Sequence, residues 1–166
     1  LLLSLSRKIY LGSHQVRESG SFSLTNLRGF DLEGRVLGII GTGRIGRHVA
    51  RIARGFGLKV IAHDAHPDEK FANDFQLTYQ TLPELLGQSD IVTLHVPAKP
   101  ETEHLLNEIT FAQMKRGAIL VNTSRGSVVE TQALVVALKS GQVGGAALDV
   151  LEEEGVIRDE LNFLVT

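Results

Sequence analysis

The residues best suited to chemistry begin at Gly41-Thr42-Gly43-Arg44-Ile45-Gly46, a Gly-x-Gly-x-x-Gly spacing. Glycine leaves room that a side chain would fill, so such a run can bring phosphate against bare backbone. It follows an apolar run ending Gly38-Ile39-Ile40 and leads into Ile45, Val49, Ile52 and Ala53, the strand-then-helix setting this motif requires. Gly41 permits the turn out of the strand, Gly43 admits a pyrophosphate, and Gly46 lets the helix pack closely. Arg44 and Ile45 start that helix, where free N–H groups and the helix dipole favour an anion. Asp64 follows Gly41 by 23 residues and ends the apolar run 59–63. An acid near that spacing meets the adenosine ribose hydroxyls of a dinucleotide. A carboxylate there repels a 2′-phosphate, which favours NAD over NADP, although His63 and His66 flank it and soften the repulsion when protonated. Asp68, beyond Pro67, is a weaker competitor for the same task. A ligand-free glycine turn and a solvated strand-end acid are the plain alternatives; context and spacing count against both.

These residues need a scaffold that gathers distant strand ends. From Asp31 onward, short Val/Ile/Leu runs alternate with helical stretches. Strands are expected at 35–40, 59–63, 91–95, 118–122 and 145–150, with a weak one near 75–77. Runs without alternation suit strands buried on both faces of a parallel sheet. Helices are expected at 45–55, 82–86, 108–114 and 130–140. Thr81 and Glu84 form a capping box for the second, and Gly141 terminates the last. The pattern implies a Rossmann-type, doubly wound parallel sheet in three α/β/α layers. Leu2, Leu5 and Ile9 recur at helical spacing, so residues 1–17 read as one amphipathic helix fading into a small, polar connector near Gly20. The expected division is a connecting helix and linker over 1–20 and a dinucleotide-binding domain over 21–166.

The 166 residues suffice for one domain with a core. A formal charge of −2 offers no basic face, so no nucleic-acid partner is expected. No apolar run reaches membrane-spanning length, and no membrane partner is expected. Cysteine is absent, which removes disulfides, thiolate metal sites and a cysteine nucleophile. That absence fits a cytoplasmic location, and no metal site is expected.

Three longer blocks carry a resemblance. They are Leu94-His95-Val96-Pro97 with Pro100-Glu101-Thr102-Glu103-His104-Leu105-Leu106-Asn107, then Lys115 through Gly126 with Asn122-Thr123-Ser124-Arg125-Gly126 at its end, and Gly144-Gly145-Ala146-Ala147-Leu148-Asp149-Val150 followed by Glu152-Glu153-Glu154. In order and spacing the chain resembles the NAD-binding domain of the D-2-hydroxyacid dehydrogenase family. Phe22-Ser23-Leu24, Gly29-Phe30-Asp31-Leu32 and the acidic stretch after Val150 resemble its D-lactate dehydrogenase branch. The resemblance implies that Arg125 grips the carboxylate and carbonyl of a 2-keto acid, a two-point task that suits a guanidinium fork. It implies that Asp149 holds the nicotinamide carboxamide, that His95, Val96, Pro97 and Thr123 line the coenzyme site, and that Glu154 orients a catalytic histidine and raises its pKa. The plain alternatives are a surface arginine, a turn-capping acid and a solvated run of three glutamates.

By the same resemblance the proton-donating histidine lies well downstream of Glu154, whereas the last histidine here is His104. The substrate domain is absent too, so the chain is expected to start partway through a longer protein and to show negligible turnover alone. The implied activity is reduction of a 2-keto acid, pyruvate to D-lactate, by hydride transfer from NADH. Alternatives are a non-enzymatic NAD-binding module of the corepressor type and a truncated product without activity. A homodimer through the N-terminal helix is expected, with Leu2, Leu5 and Ile9 in the contact.

Overall fold

The computed structural model describes residues 1–20, 23 and 25–152. Six strands form one parallel sheet: β1 (Val36–Ile40), β2 (Lys59–His63), β3 (Thr78–Tyr79), β4 (Ile91–Leu94), β5 (Ala118–Asn122) and β6 (Val143–Leu148). Their order is β3-β2-β1-β4-β5-β6, with every neighbouring pair parallel. The chain winds outward from β1 to one edge, returns, and winds to the other, which confirms the doubly wound reading. The ends of β1 and β4, where the direction reverses, leave a crevice suited to a ligand.

Successive residues on a strand point to opposite faces, so the sheet supports two cores. Ile40, Val92, Leu94 and Leu120 pack under α5 (Leu82–Gln88), α6 (Glu108–Gln113) and α7 (Thr131–Lys139). Leu37, Ile39, Ile91, Ile119 and Val121 pack on the other face, with α3 (Arg44–Gly55) and α4 (Glu69–Phe75). Helix termini are set by the residues expected to set them. Thr81 and Glu84 form the capping box of α5, and Gly141, at φ +71°, follows the end of α7.

Two expectations are corrected. The N-terminal segment is not one helix but α1 (Leu2–Ser6) and α2 (Ile9–Ser19), broken at Lys8 with φ +51°. The break leaves the Ser6 carbonyl free to accept the Phe30 N–H at 3.0 Å, which ties the segment to the domain. Leu2 and Leu5 accordingly pack inward against the second core, while Leu1, Leu3, Ile9, Tyr10 and Val16 stay exposed. Of the strand expected near 75–77, Phe75 ends α4 and Gln76 is its C-cap, and the strand lies at Thr78–Tyr79. Asp68 decides this: it caps α4 by accepting the Phe71 N–H at 3.0 Å, and Phe71, Ala72 and Phe75 then fall on one buried helical face. Among the described residues no helix is long and apolar enough to cross a membrane.

Candidate functional site

Every described residue assigned to the site from sequence stands at the carboxyl edge of the sheet. Gly41 to Gly46 follow β1, Asp64 follows β2, His95 to Pro97 follow β4, Thr123 and Arg125 follow β5, and Asp149 follows β6. Glu154 lies outside the described residues. Strand registers bring these ends side by side: Ile40 pairs with His63 and with Leu94, Leu94 with Asn122, and Asn122 with Leu148.

The three motif glycines have separate jobs. Gly41 turns at φ +94°, and a Cβ there would lie 2.7 Å from the His95 carbonyl oxygen. Gly46 lies so close to the turn that a Cβ would sit 2.0 Å from the Gly41 carbonyl oxygen, and 3.4 Å from Ile39 on β1. Gly43 differs: its φ is −63°, which any residue adopts, and a Cβ would meet nothing within 4 Å. Sterics therefore do not require glycine at that position, and the backbone there is open to a ligand. The N-terminus of α3 behind it has no side-chain cap, so its first N–H groups remain available. These features fit a dinucleotide pyrophosphate.

Asp64 is already engaged. Its Oδ2 accepts from the Thr42 N–H at 2.6 Å and from the Thr42 hydroxyl at 2.9 Å, and Oδ1 accepts from the His66 N–H at 2.9 Å. Burial pushes its carboxyl up, but these bonds and the nearby His66 outweigh it and hold the pKa below the ordinary aspartate value. The Thr42 hydroxyl also meets the Tyr79 hydroxyl at 2.8 Å. Asp64 thus shapes the glycine loop as well as ending β2. Asp68, the competitor, is occupied elsewhere: it pairs with Arg47 at 2.7 Å while capping α4.

The loop after β5 is built around a buried amide. Asn122 accepts from the Ser124 N–H at 3.0 Å and hydroxyl at 2.8 Å, and its Nδ2 donates to the Arg125 carbonyl at 2.9 Å. Arg125 itself is exposed, with Nη1 donating to the Ser124 carbonyl at 2.7 Å. Asp149 is also exposed, and its N–H donates to the Asn122 carbonyl at 2.9 Å. Asn122 is therefore the common anchor of both. His95 shares a hydrogen bond with the Thr93 hydroxyl through Nε2 at 3.0 Å, while its Nδ1 is buried without a partner. Burial holds its pKa below the ordinary histidine value, so the neutral ring is favoured. Among the described residues no group of three or more His, Asp or Glu could hold a metal ion.

The family model for the NAD-binding domain of D-isomer specific 2-hydroxyacid dehydrogenases matches residues 1–165. The chain belongs to that family. A 2-hydroxyacid dehydrogenase homolog of Schizosaccharomyces pombe is 48% identical over 155 residues, covering 93% of this chain and 46% of the relative. The D-lactate dehydrogenase of Escherichia coli superposes with a TM-score of 0.86 at 42% identity, over 92% of this chain and 49% of that one. The D-isomer specific 2-hydroxyacid dehydrogenase of Lactobacillus delbrueckii ssp. bulgaricus, in its NAD-complexed form, gives 0.85 at 34% identity, over 99% and 54%. The chain spans about half the length of the curated relatives it matches.

In this NAD-binding domain the positions at the strand ends were legible in the sequence, and the contacts that support them were not. Thr42 ties the glycine loop to Asp64 and Tyr79 bonds Thr42 in turn; no spacing signal marks Tyr79. Asn122 and Ser124 had a signal: polar residues closing the otherwise apolar run 118–121. The structure buries both side chains and gives them the loop to organise.

Proposed function

We propose that this domain is the coenzyme half of an enzyme that reduces a 2-keto acid, pyruvate, to the D-2-hydroxy acid with NADH. The observation that carries this is the open space at Gly43, set against an uncapped helix start and one strand away from Asp64. Backbone N–H groups at 44–46 bind the pyrophosphate, and Asp64 takes the adenosine ribose. The Thr42 hydroxyl yields its place on the carboxylate to a ribose hydroxyl and keeps Tyr79 as partner. When bound, the reduced nicotinamide supplies a hydride to the substrate carbonyl carbon. Asp149 orients the carboxamide; His95, Val96, Pro97 and Thr123 line the ring pocket, where the orphaned Nδ1 of His95 offers a hydrogen bond. Arg125 holds the substrate carboxylate and carbonyl. Glu154 orients a histidine supplied by the complete enzyme and raises its pKa.

On this reading residues 1–20 connect to a substrate domain, the enzyme works in the cytoplasm, and it assembles as a homodimer. The exposed side chains of Leu1, Leu3, Ile9 and Tyr10 supply the apolar surface for that contact. Light scattering of the chain at high concentration checks the dimer, and a persistent monomer removes it. Given alone with pyruvate and NADH, the 166 residues turn over negligibly, because none of their six histidines stands at the acid's place. Calorimetry with NADH and NADPH on wild type and Asp64→Ala tests the coenzyme assignment. Saturable NADH binding, weaker NADPH binding and loss of that preference in Asp64→Ala are expected. Absence of binding by either nucleotide would overturn the reading.

A further inference from the structure

Away from the coenzyme crevice, one cluster of side chains ties together the segments that carry Arg125 and Asp149. Glu152 lies three residues beyond Asp149. One of its carboxylate oxygens bonds Nε2 of His104, and the other accepts the Thr131 N–H at 2.9 Å, at the start of α7. Glu130, the residue before that helix, provides no side-chain cap, so Glu152 supplies the acceptor from a distant part of the chain. Below this bridge the chain presses on the loop after β5. A Cβ on Gly126 would lie 1.8 Å from the Leu151 carbonyl oxygen and 2.6 Å from the Glu152 nitrogen.

His104 is itself held in place. It adopts φ +46°, its N–H donates to the Ser127 carbonyl at 2.8 Å, and its carbonyl accepts from Asn107 Nδ2 at 3.0 Å. Leu106 continues the pairing, donating to the Val128 carbonyl at 3.0 Å and accepting the Glu130 N–H at 2.9 Å. The turn beginning at Gly126 is therefore gripped between 104–106 on one side and 151–152 on the other. Arg125 enters that turn, and Asp149 leads into the segment that closes over it.

We propose that His104 and Glu152 form a clasp that positions Asp149 and the Arg125 loop for NADH binding. The proposal rests on the coenzyme-site assignment made above. Neither residue touches the coenzyme; both act through residues 149–152 and 125–128.

The clasp responds to pH. Among the described residues, the charged groups facing His104 are Glu152, Glu130 and Glu103. The hydrogen bond to Glu152 raises the His104 pKa; burial opposes this, and the negative charges add to the rise. Its contribution is complete below the ordinary histidine value and is lost as pH rises through the raised one. For Glu152 burial pushes upward, but the Thr131 N–H and His104 outweigh it and lower the pKa. That contribution is lost only in acid. As pH rises through the raised His104 value the bond to Glu152 loses its charge, and the clasp weakens on that alkaline side.

Two measurements on the full chain test this. The first is NMR titration of His104 in wild type and in Glu152→Gln. The second is NADH affinity by calorimetry between about pH 6 and 9, across the histidine range, for wild type, Glu152→Gln and His104→Gln. Glutamine at 104 keeps a neutral hydrogen bond to Glu152, so the fold survives while the titration is removed. We expect the His104 pKa to fall in Glu152→Gln. Wild-type NADH binding should weaken roughly 3- to 10-fold across the His104 titration, the size of one partly exposed charge-assisted bond. His104→Gln should lack that part of the slope. An unchanged His104 pKa in Glu152→Gln overturns the clasp. A shifted pKa with NADH affinity indifferent to both substitutions overturns the positioning role and leaves a structural ion pair. Wild type that binds no NADH at any pH sinks the coenzyme assignment, and the proposal with it.

Discussion

Replacing Gly43 and Gly46 separately by alanine distinguishes a glycine kept for a ligand from one kept for the fold. At Gly43 the backbone sits at φ −63° and ψ −169°, and an added Cβ meets no atom within 4 Å. Alanine there is unstrained, but the roughly 0.4–1 kcal/mol gained by restricting the unfolded chain is offset by a cost of similar size for alanine at the N-cap, the place Gly43 holds on α3. The expected change in Tm is within about 2 °C of wild type. The same methyl group stands where pyrophosphate must meet the backbone. Loss of one charge-assisted hydrogen bond, about 1.5–3 kcal/mol, weakens NADH binding roughly 10- to 100-fold. At Gly46 the Cβ would lie 2.0 Å from the Gly41 carbonyl oxygen, so helix and turn must part by more than an ångström. Overpacking of this kind costs roughly 1–3 kcal/mol, a fall of about 2–10 °C in Tm. Thermal unfolding and NADH calorimetry on both variants give the four numbers required. Wild-type affinity in Gly43→Ala would refute the argument that open backbone at 43 carries the phosphate. A larger stability loss at 43 than at 46 would refute the division of labour.

Gly126→Ala forces the Leu151 carbonyl away from the turn, since the Cβ would lie 1.8 Å from it. Amide hydrogen exchange at 149–152 should rise markedly while the sheet amides keep their protection. Asn122→Leu leaves the Ser124 N–H and the Arg125 carbonyl without their partner in a buried loop. It should destabilise by about 2–4 kcal/mol, read as a lowered denaturant midpoint. Asp64 has a depressed folded pKa, so its stabilisation is complete above its unfolded value and fades as pH falls through the folded one. The Tm gap between wild type and Asp64→Asn should therefore narrow in acid; a gap constant down to the lowest pH where the chain stays folded would contradict the assigned bonds.

The sequence by itself determined the architecture and the edge on which the site lies. Val/Ile/Leu runs without alternation demand strands covered on both faces, and the helical stretches between them demand right-handed crossovers. Residues ending such runs, among them Asp64, Asn122 and Asp149, must then share the carboxyl edge. Glycine spacing marked the β1–α3 turn because the geometry there is local and few residue types permit it. Tertiary structure alone decided how these residues are supported. Asp68 made α4 where Phe75 and Leu77 suggested a strand, because a cap and a partner on α3 outweighed local pattern. The Ser6 carbonyl broke the N-terminal helix because its partner, Phe30, lies beyond the connector. The Asp64–Thr42–Tyr79 and His104–Glu152 contacts join residues separated by 22, 37 and 48 positions. Contacts of that span carry no periodicity for a sequence to display; they arise only when the sheet sets strand ends side by side.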